Sequence, residues 1–310
     1  ATLSDKHFRP LRNMFGQSVL VSDNETLKRK LANIVDSGPK TLKIVSDFDF
    51  TITRFKINGE RGASCHKIIE DCGLLSAEYH KQAQGLQRKY YPLEVDPTID
   101  QETKTKYMIE WVTEAHELLV KNKLSKMMIQ TAVRDALKQK ASVGFRDNFV
   151  AFIEKIQSNK IPLLIFSAGL ADVLNELLLL QLKKFDTSLL HVISNEGIFD
   201  ETDGFLTRFI DPTLHVFNKK SLPFLDRKFF TDQDIVSRTN VLLIGDSLGD
   251  VTMADGMQHN PENIIKVGFL NDRVEERMET YMEQYDIVVL GDAGFDVPLG
   301  IIELVCGTKS

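Results

Sequence analysis

Cysteine is scarce: the 310 residues hold three, Cys65, Cys72 and Cys306. The number is odd and the spacing matches no zinc or redox motif, which excludes a disulfide framework. A reducing, cytoplasmic compartment is the expectation. Long apolar runs are lacking too. The most apolar stretches, 161–166, 177–180 and 241–244, fall far short of the roughly 20 apolar residues of a membrane span. The opening residues, ATLSDKHFRPLRNMFG, contain no apolar stretch of the signal-peptide kind. No membrane partner is expected. Basic charge is in deficit, with 38 Lys+Arg against 44 Asp+Glu and a net charge of −6. A nucleic-acid polymer needs a basic surface to neutralise its phosphates, so a polymer partner is excluded. A phosphorylated small molecule is not, provided that its site is locally positive. Intrinsic disorder is excluded as well, because the hydrophobic share is 43% and the charge balance is mild.

What is present alternates. Ser22-Asp23-Asn24 precedes ETLKRKLANIV, a capped amphipathic helix, and Gly38-Pro39 breaks it. LKIVS at 42–46 reads as a buried strand that runs into Asp47-Phe48-Asp49-Phe50-Thr51. From 55 to 141 the character is helical: HKIIEDCGLL, AEYHKQAQGLQRKYY, TKTKYMIEWVTEAHELLVKN and SKMMIQTAVRDALKQK repeat apolar residues every three to four positions. Pro92 and Pro97 frame a loop, PLEVDP, and no strand pattern is visible in this stretch. Then come a helix at 145–159, a strand at 161–166, the turn Ser167-Ala168-Gly169, a helix at 170–182 and a strand at 191–194. HVFNKK surrounds Lys219, and a strand at 241–244 leads into Gly245-Asp246-Ser247-Leu248-Gly249-Asp250. A further helix and two late strands, IIKVGF and DIVVL, complete the pattern.

Strands separated by helices predict a doubly wound α/β fold, a parallel sheet with helices on both faces. More than a hundred residues separate the first strand from the second, whereas a parallel crossover needs about a dozen. The excess predicts an inserted helical cap at 56–141 on a core of 1–55 and 142–310. Segments 1–20, 221–239 and 307–310 carry no readable function. Ligands of open α/β sheets bind beyond the carboxyl ends of the strands, so the cap emerges beside the site.

Three strands end at that edge in small or acidic residues: Asp47 and Asp49, then Ser167, Ala168 and Gly169, then Asp246 and Asp250. Each Asp alone also suits a turn or a helix cap, Ser167 an N-cap, and Lys219 an ordinary solvated lysine. The ordered recurrence of acid, hydroxyl, lysine and acid after apolar runs resembles the four motifs of the haloacid dehalogenase phosphatase superfamily. SDFDFTITRF, YYPLEVDP, YMIEWVTEAH, IPLLIFSAGLADVL, HVFNK, LLIGDSLGDVTMADG and VGFLNDRVEE narrow the resemblance to the cytosolic 5′-nucleotidase III family. That family acts on pyrimidine and 7-methylguanosine nucleotides.

The resemblance implies a Mg²⁺-dependent hydrolysis of nucleoside 5′-monophosphates through an aspartyl phosphate. Asp47 would be the nucleophile and Asp49 the general acid and base. Lys219 would neutralise both the nucleophile and the phosphate, and Ser167 with the N–H groups of Ala168 and Gly169 would cradle the phosphate. Asp47, the carbonyl of Asp49, and Asp246 would bind the metal. Asp250 would orient Lys219 or a metal-bound water. Glu94 and Trp111 match the residues that recognise the base, with Trp111 equally suited to a core position beside Met108, Ala115 and Leu118. His66 and Phe55 are further pocket walls or plain packing, and His116 reads as a surface or capping histidine. The preferred base, 7-methylguanine or a pyrimidine, stays open, as does phosphotransfer to a second nucleoside. A monomer is expected. A phosphatase for another small phosphate ester, or a nucleotide-binding protein without catalysis, are the alternatives.

Overall fold

The computed structural model describes residues 18–96, 98–219 and 227–307. Pro97, Lys220 and the segments 1–17, 221–226 and 308–310 lie outside the described residues. The chain runs β1 (Val19–Val21), α1 (Asn24–Ser37), β2 (Leu42–Ser46), β3 (Lys56–Ile57), β4 (Glu60–Arg61), α2 (Cys65–Glu70), α3 (Ala77–Val95), α4 (Gln101–Lys121), α5 (Lys126–Lys138) and α6 (Phe149–Ser158). It continues β5 (Leu163–Leu170), α7 (Ala171–Gln181), β6 (Leu190–Asn195), β7 (Gly197–Phe199), β8 (Leu206–Phe209), α8 (Lys228–Thr231) and α9 (Gln233–Val236). The last elements are β9 (Asn240–Gly245), β10 (Ile264–Leu270), α10 (Val274–Gln284), β11 (Ile287–Leu290) and α11 (Asp296–Cys306). No helix of the described residues is long and apolar enough to cross a membrane.

Seven strands form one sheet in the order β1-β11-β10-β9-β2-β5-β6. Every pairing is parallel except β1 with β11. Strand alternation sorts the side chains between two faces. Leu42, Ile44, Leu163, Ile165, Leu242 and Ile244 face α1, α6, α7 and α11. Val45, Leu164, Phe166, Val241 and Leu243 face Phe229, Tyr281 and Tyr285. Both faces are covered, as a parallel sheet requires, and each fully buried Leu, Ile or Phe contributes roughly 1.5–3 kcal/mol. From β2 the chain proceeds to β5 and β6 on one side and returns to β9, β10 and β11 on the other. The crevice of such a sheet opens where the order reverses, here at the carboxyl ends of β2 and β9.

Between β2 and α6 lie α2 to α5 and the hairpin β3–β4. Ile68, Ile69, Leu118, Leu119, Ile129 and Val133 of these helices join the same apolar cluster as β2 and α1. Capping chemistry sets the helix starts: Asp23, Ser64, Ser76, Asp100 and Ser125 each accept backbone N–H groups of the first turn.

Several local expectations are corrected. The strand pair β3–β4 occupies a stretch read as strand-free, because two residues per strand leave no periodicity to read. Pro92 lies inside α3, which runs on to Val95, so the loop expected from Pro92 does not begin there. The helix ends three residues after Pro92, whose missing N–H and ring crowding of the i−4 carbonyl disfavour its continuation. The helix expected from 145 starts at Phe149, because Arg146 is drawn into the interior and Asn148 is left-handed at φ 65°. β5 continues through Ser167, Ala168 and Gly169 to Leu170, with a register shift that pairs Leu170 with Asn195, so these residues form a bulged strand end, not a free turn. Between Asp250 and β10, where the sequence predicts a helix, there are only 3₁₀ turns, at Asp250–Thr252 and Pro261–Asn263.

Candidate active site

β2 is buried at all five positions and delivers Asp47 to the sheet edge. There the Asp47 N–H donates to the Ile244 carbonyl at 2.9 Å, carrying the β2–β9 ladder one residue on. Asp47 Oδ2 accepts the Thr51 hydroxyl at 2.9 Å, and Oδ1 accepts the Lys219 ammonium. Lys219 also donates to Asp250 Oδ1 at 2.7 Å. All three side chains are buried. Burial pushes the Asp47 carboxyl up to about 6, with Lys219 opposing and Asp250 adding to the rise. The Lys219 ammonium against it favours the ionised form. Burial works against the Lys219 charge, but Asp250 and Asp47 outweigh it and hold the ammonium protonated above the ordinary lysine range.

Asp49 follows two residues on, and its Oδ1 accepts the Cys65 N–H at 3.0 Å from the start of α2. Burial, then the Asp47 charge, push its carboxyl up to about 7. An acid poised there can give a proton in one step and take one in the next. A Cβ on Gly169 would stand 3.1 Å from Asp49 Oδ2 and 3.0 Å from the Cys65 Cβ, so glycine lets β5 close against the acid. Phe50, the next residue, sits at φ 64°. For a bulky side chain that conformation costs on the order of 1–3 kcal/mol and persists only where its surroundings hold it.

β9 delivers the second acidic group. Asp250 is fully buried. Its Oδ2 accepts the N–H groups of Asp246 (3.1 Å) and Ser247 (2.9 Å) and the Ser247 hydroxyl (2.9 Å). With Oδ1 on Lys219, its acceptor capacity is taken up by protein donors. Gly245 is required beside it, since a Cβ there would meet the Asp250 Cβ at 2.4 Å. Asp246 is less committed, accepting Thr51 Oγ1 at 3.4 Å and Asn271 Nδ2 at 3.2 Å. Burial, then Asp47 and Asp250, push its carboxyl well above the carboxylate range.

One oxygen each from Asp47, Asp246 and Asp250 lies within 4.8 Å of the others. Three carboxylates against the single Lys219 ammonium leave an excess of negative charge in a buried place. An all-oxygen, anionic donor set suits a hard dication such as Mg²⁺. Asp47 and Asp246 have oxygens to offer it. Asp250 does not without giving up Lys219 or two backbone N–H groups.

On the β5 side Ser167 is buried, and its Oγ accepts the Gly169 N–H at 3.0 Å. That N–H, expected to face a phosphate, is thus engaged by the serine in this structure. Asn195 Nδ2 donates to the Ala168 carbonyl (2.9 Å) and the Leu214 carbonyl (3.0 Å), and its Oδ1 accepts the Leu214 N–H (2.8 Å). It ties the Ser167 segment to the loop that carries Lys219. Asn195, Thr51, Arg146 and Asn271 are absent from the sequence-based set. Asn195 ends the apolar strand β6 and Asn271 follows β10, so the same strand-end rule could have found them. Arg146 gives no such signal.

The residues expected at the base fall into two groups. Trp111 on α4 is partly buried and stacks on Tyr90 of α3 (centroids 5.9 Å, 14°). Tyr90 is fully buried, and its hydroxyl donates to Glu114 at 2.5 Å. Glu94 lies in the last turn of α3. Burial raises its carboxyl, while Arg61, Lys104 and Arg277 pull the other way. Phe55 packs edge-on to Phe50 at 5.5 Å, with the Arg61 guanidinium 4.9 Å over Phe50 and 5.2 Å over Phe55. His66, next to Cys65, stacks toward His116 at 6.1 Å, and burial lowers its imidazole to about 4. His116 is not a surface residue: it is 5% exposed and stacked on Phe209 at 3.8 Å. Its neighbour in that stack comes from β8, about ninety residues away in sequence, which local periodicity cannot show. Among the described residues, ring contacts tie Phe55 to the nucleophile loop and Trp111 to Tyr90, and do not join the two.

A family profile described as pyrimidine 5′-nucleotidase (UMPH-1) matches residues 50–306. The chain is 41% identical over 288 residues to 7-methylguanosine phosphate-specific 5′-nucleotidase A of Xenopus laevis, a match covering 93% of this chain and 96% of that one. Among solved structures, cytosolic 5′-nucleotidase IIIB bound to cytidine aligns with a TM-score of 0.83 at 30% identity over 96% of both chains. A probable phosphoserine phosphatase from Vibrio cholerae aligns at TM-score 0.53 and 12% identity, over 98% of this chain and 84% of that one, a likeness of fold alone.

Proposed function

The chain belongs to the pyrimidine 5′-nucleotidase (UMPH-1) family and is a 5′-nucleotidase of the haloacid dehalogenase fold, and from that premise we propose that it hydrolyses 7-methylguanosine 5′-monophosphate, and CMP or UMP besides, through an aspartyl phosphate on Asp47. The observation that carries this reading is the meeting of Asp47, Lys219, Asp246 and Asp250 at the carboxyl ends of β2 and β9, with Asp49 two residues beyond Asp47.

In the proposed reaction a carboxylate oxygen of ionised Asp47 attacks phosphorus, and the bond from phosphorus to the nucleoside 5′-oxygen breaks. Asp49 gives its proton to that leaving oxygen. In the second half-reaction Asp49 takes a proton from water, the resulting nucleophile attacks the aspartyl phosphate, and Asp47 is released with inorganic phosphate. Lys219, held by Asp250, keeps positive charge beside the nucleophile throughout. Ser167 and the Ala168 N–H hold the phosphate oxygens, and the Gly169 N–H joins them once the Ser167 hydroxyl that now accepts it turns to the phosphate. Mg²⁺, held by Asp47, Asp246 and the Asp49 carbonyl, would supply the positive charge that lets an anionic nucleophile approach a phosphate dianion.

For the base, Trp111 offers the stacking face. The cationic 7-methylguanine ring gains a cation–π contribution there that a neutral pyrimidine does not. Glu94 accepts hydrogen bonds from the Watson–Crick edge, with His66 and Phe55 as further walls. The relative named for 7-methylguanosine phosphate favours that substrate. The relative solved with cytidine keeps the pyrimidine reading beside it. Residues 56–141 act as a cap that selects the base and excludes water. Transfer of the phosphoryl group to a second nucleoside competes with water. The protein acts as a monomer in the cytosol.

Phosphate release with Mg²⁺ from CMP, UMP, GMP, AMP and 7-methyl-GMP, with an EDTA control, tests the reading. Release that depends on metal and is highest for 7-methyl-GMP is expected, and Asp47→Asn abolishes it. Equal release from all five nucleotides points to a general phosphatase. Tight nucleotide binding without release points to a binding protein.

A further inference from the structure

Arg146 is an anomaly of the interior. It is a fully buried arginine in a loop, on an element that carries none of the residues assigned above. Its guanidinium is nonetheless saturated. Nε donates to the Thr51 carbonyl (2.8 Å), one terminal nitrogen to the Phe50 carbonyl (2.7 Å) and Asn271 Oδ1 (2.6 Å), and the other to the Ala293 carbonyl (2.6 Å) and Asp292 Oδ1 (3.4 Å). Its plane covers Phe269 at 4.1 Å, and its backbone N–H donates to the Ile52 carbonyl at 2.9 Å. Three consecutive carbonyls, of Phe50, Thr51 and Ile52, are thus held by one residue. They belong to the loop directly after Asp47 and Asp49.

Asn271 completes the arrangement. Its Oδ1 is taken by Arg146, which fixes the amide so that Nδ2 points the other way. Nδ2 then donates to the Phe50 carbonyl (3.1 Å) and to Asp246 Oδ2 (3.2 Å). The left-handed Phe50 receives two donors on one carbonyl, which accounts for how a bulky residue keeps that conformation. The chain of bonds runs from a buried guanidinium, through an amide of set orientation, to a carboxylate of the proposed metal site.

We propose that Arg146 and Asn271 form a positioning relay: Arg146 fixes the nucleophile loop and the Asn271 amide, and Asn271 in turn aims the Asp246 carboxylate at the dication. The inference rests on the functional reading above, in that it takes Asp246 as a metal-binding residue. Both are positioning residues, acting through the nucleophile loop and Asp246. Partners that orient a metal-binding carboxylate typically govern metal affinity by 10–100-fold when removed. The fork geometry matters as well, because lysine supplies charge without the five donors in one plane.

The test uses the full chain and reads Mg²⁺ affinity by calorimetry, with steady-state kinetics and melting temperature alongside. Asn271→Ala should weaken Mg²⁺ binding about 10-fold or more, with the nucleotide KM changed by less than about 2-fold and lost turnover recovered by raising Mg²⁺. Arg146→Lys should weaken Mg²⁺ binding in the same direction. The double variant should bind Mg²⁺ no worse than the weaker single one, because the two act in series. Asn271→Ala keeps the test informative if variants at Arg146 fold poorly. Unchanged Mg²⁺ affinity in Asn271→Ala, or losses that multiply in the double variant, overturn the relay alone. A native chain that neither binds Mg²⁺ nor releases phosphate overturns the functional reading and the relay together.

Discussion

Replacing Asp246 by Asn should move stability in opposite directions with and without metal. Without it, the Asp246 carboxylate lies with an oxygen within 4.8 Å of oxygens of Asp47 and Asp250. Two unit charges at that separation repel by about 3.5 kcal/mol at an effective dielectric of about 20. Lys219 and Arg146 offset part of this, and the raised Asp246 carboxyl relieves more by taking up a proton. The amide also keeps one acceptor oxygen for Asn271 or Thr51, losing one hydrogen bond of about 1 kcal/mol. What remains at pH 8 is a gain of about 1–2 kcal/mol for the metal-free variant, or a few degrees in Tm. With Mg²⁺ the sign reverses. The native chain gains ~2.7 kcal/mol at a concentration one hundred times Kd, and the variant forfeits most of that along with an anionic ligand. Thermal denaturation at pH 8 in EDTA and in saturating Mg²⁺ measures both. A variant that melts lower than the native chain in EDTA, or that keeps the full Mg²⁺ gain, refutes the reasoning.

Three further outcomes follow from the geometry. Gly169→Ala places a methyl 3.1 Å from Asp49 Oδ2, and a displacement of a few tenths of an ångström should lower kcat roughly 10-fold with little change in Tm; an unchanged kcat would show that the acid tolerates the crowding. Trp111→Ala should raise the KM for 7-methyl-GMP by about 5–150-fold, the range that base stacking commands, and leave ribose 5-phosphate hydrolysis unaffected; equal losses on both esters return Trp111 to a packing role. His116 is held neutral by burial and by His66, its imidazole lowered to about 3. The folded value lies below the unfolded one, so its contribution is complete above pH ~6.5 and is lost as pH falls toward about 3, a cost of ~1.4 kcal/mol between pH 7.5 and 5.5. Urea denaturation at these two values should show a drop smaller by that amount in His116→Leu, and an identical drop in both proteins excludes His116 as its source.

Much of this protein lies in short-range pattern, and that part was readable. Apolar runs of strand length at 42–46 and 241–244 end in acids, and a buried parallel strand has no other sequence form. The helix starts were equally local, since an Asp or Ser side chain reaches only its own first turn. Pairing order is not local: the parallel-sheet rule puts Asp47 and Asp246 at one edge of the sheet, and only the structure makes β2 and β9 neighbours there. Where local signals misled, tertiary contacts outweighed them: Pro92 inside α3, and the helix deferred from 145 to 149 so that Arg146 could enter the interior.

By itself the sequence determined the fold class and the identity of the acids, because periodicity and strand-end chemistry act over a few residues. Only the tertiary structure decided what each polar side chain is bonded to. Asp250 is committed to Lys219 by a contact across 31 residues. Asn195 reaches Leu214 across 19, and Arg146 reaches Asn271 across 125. His116 finds Phe209 on a distant hairpin. Such bonds depend on which backbone segments the packed core brings within about 3 Å of one another. No periodicity along the chain encodes that distance.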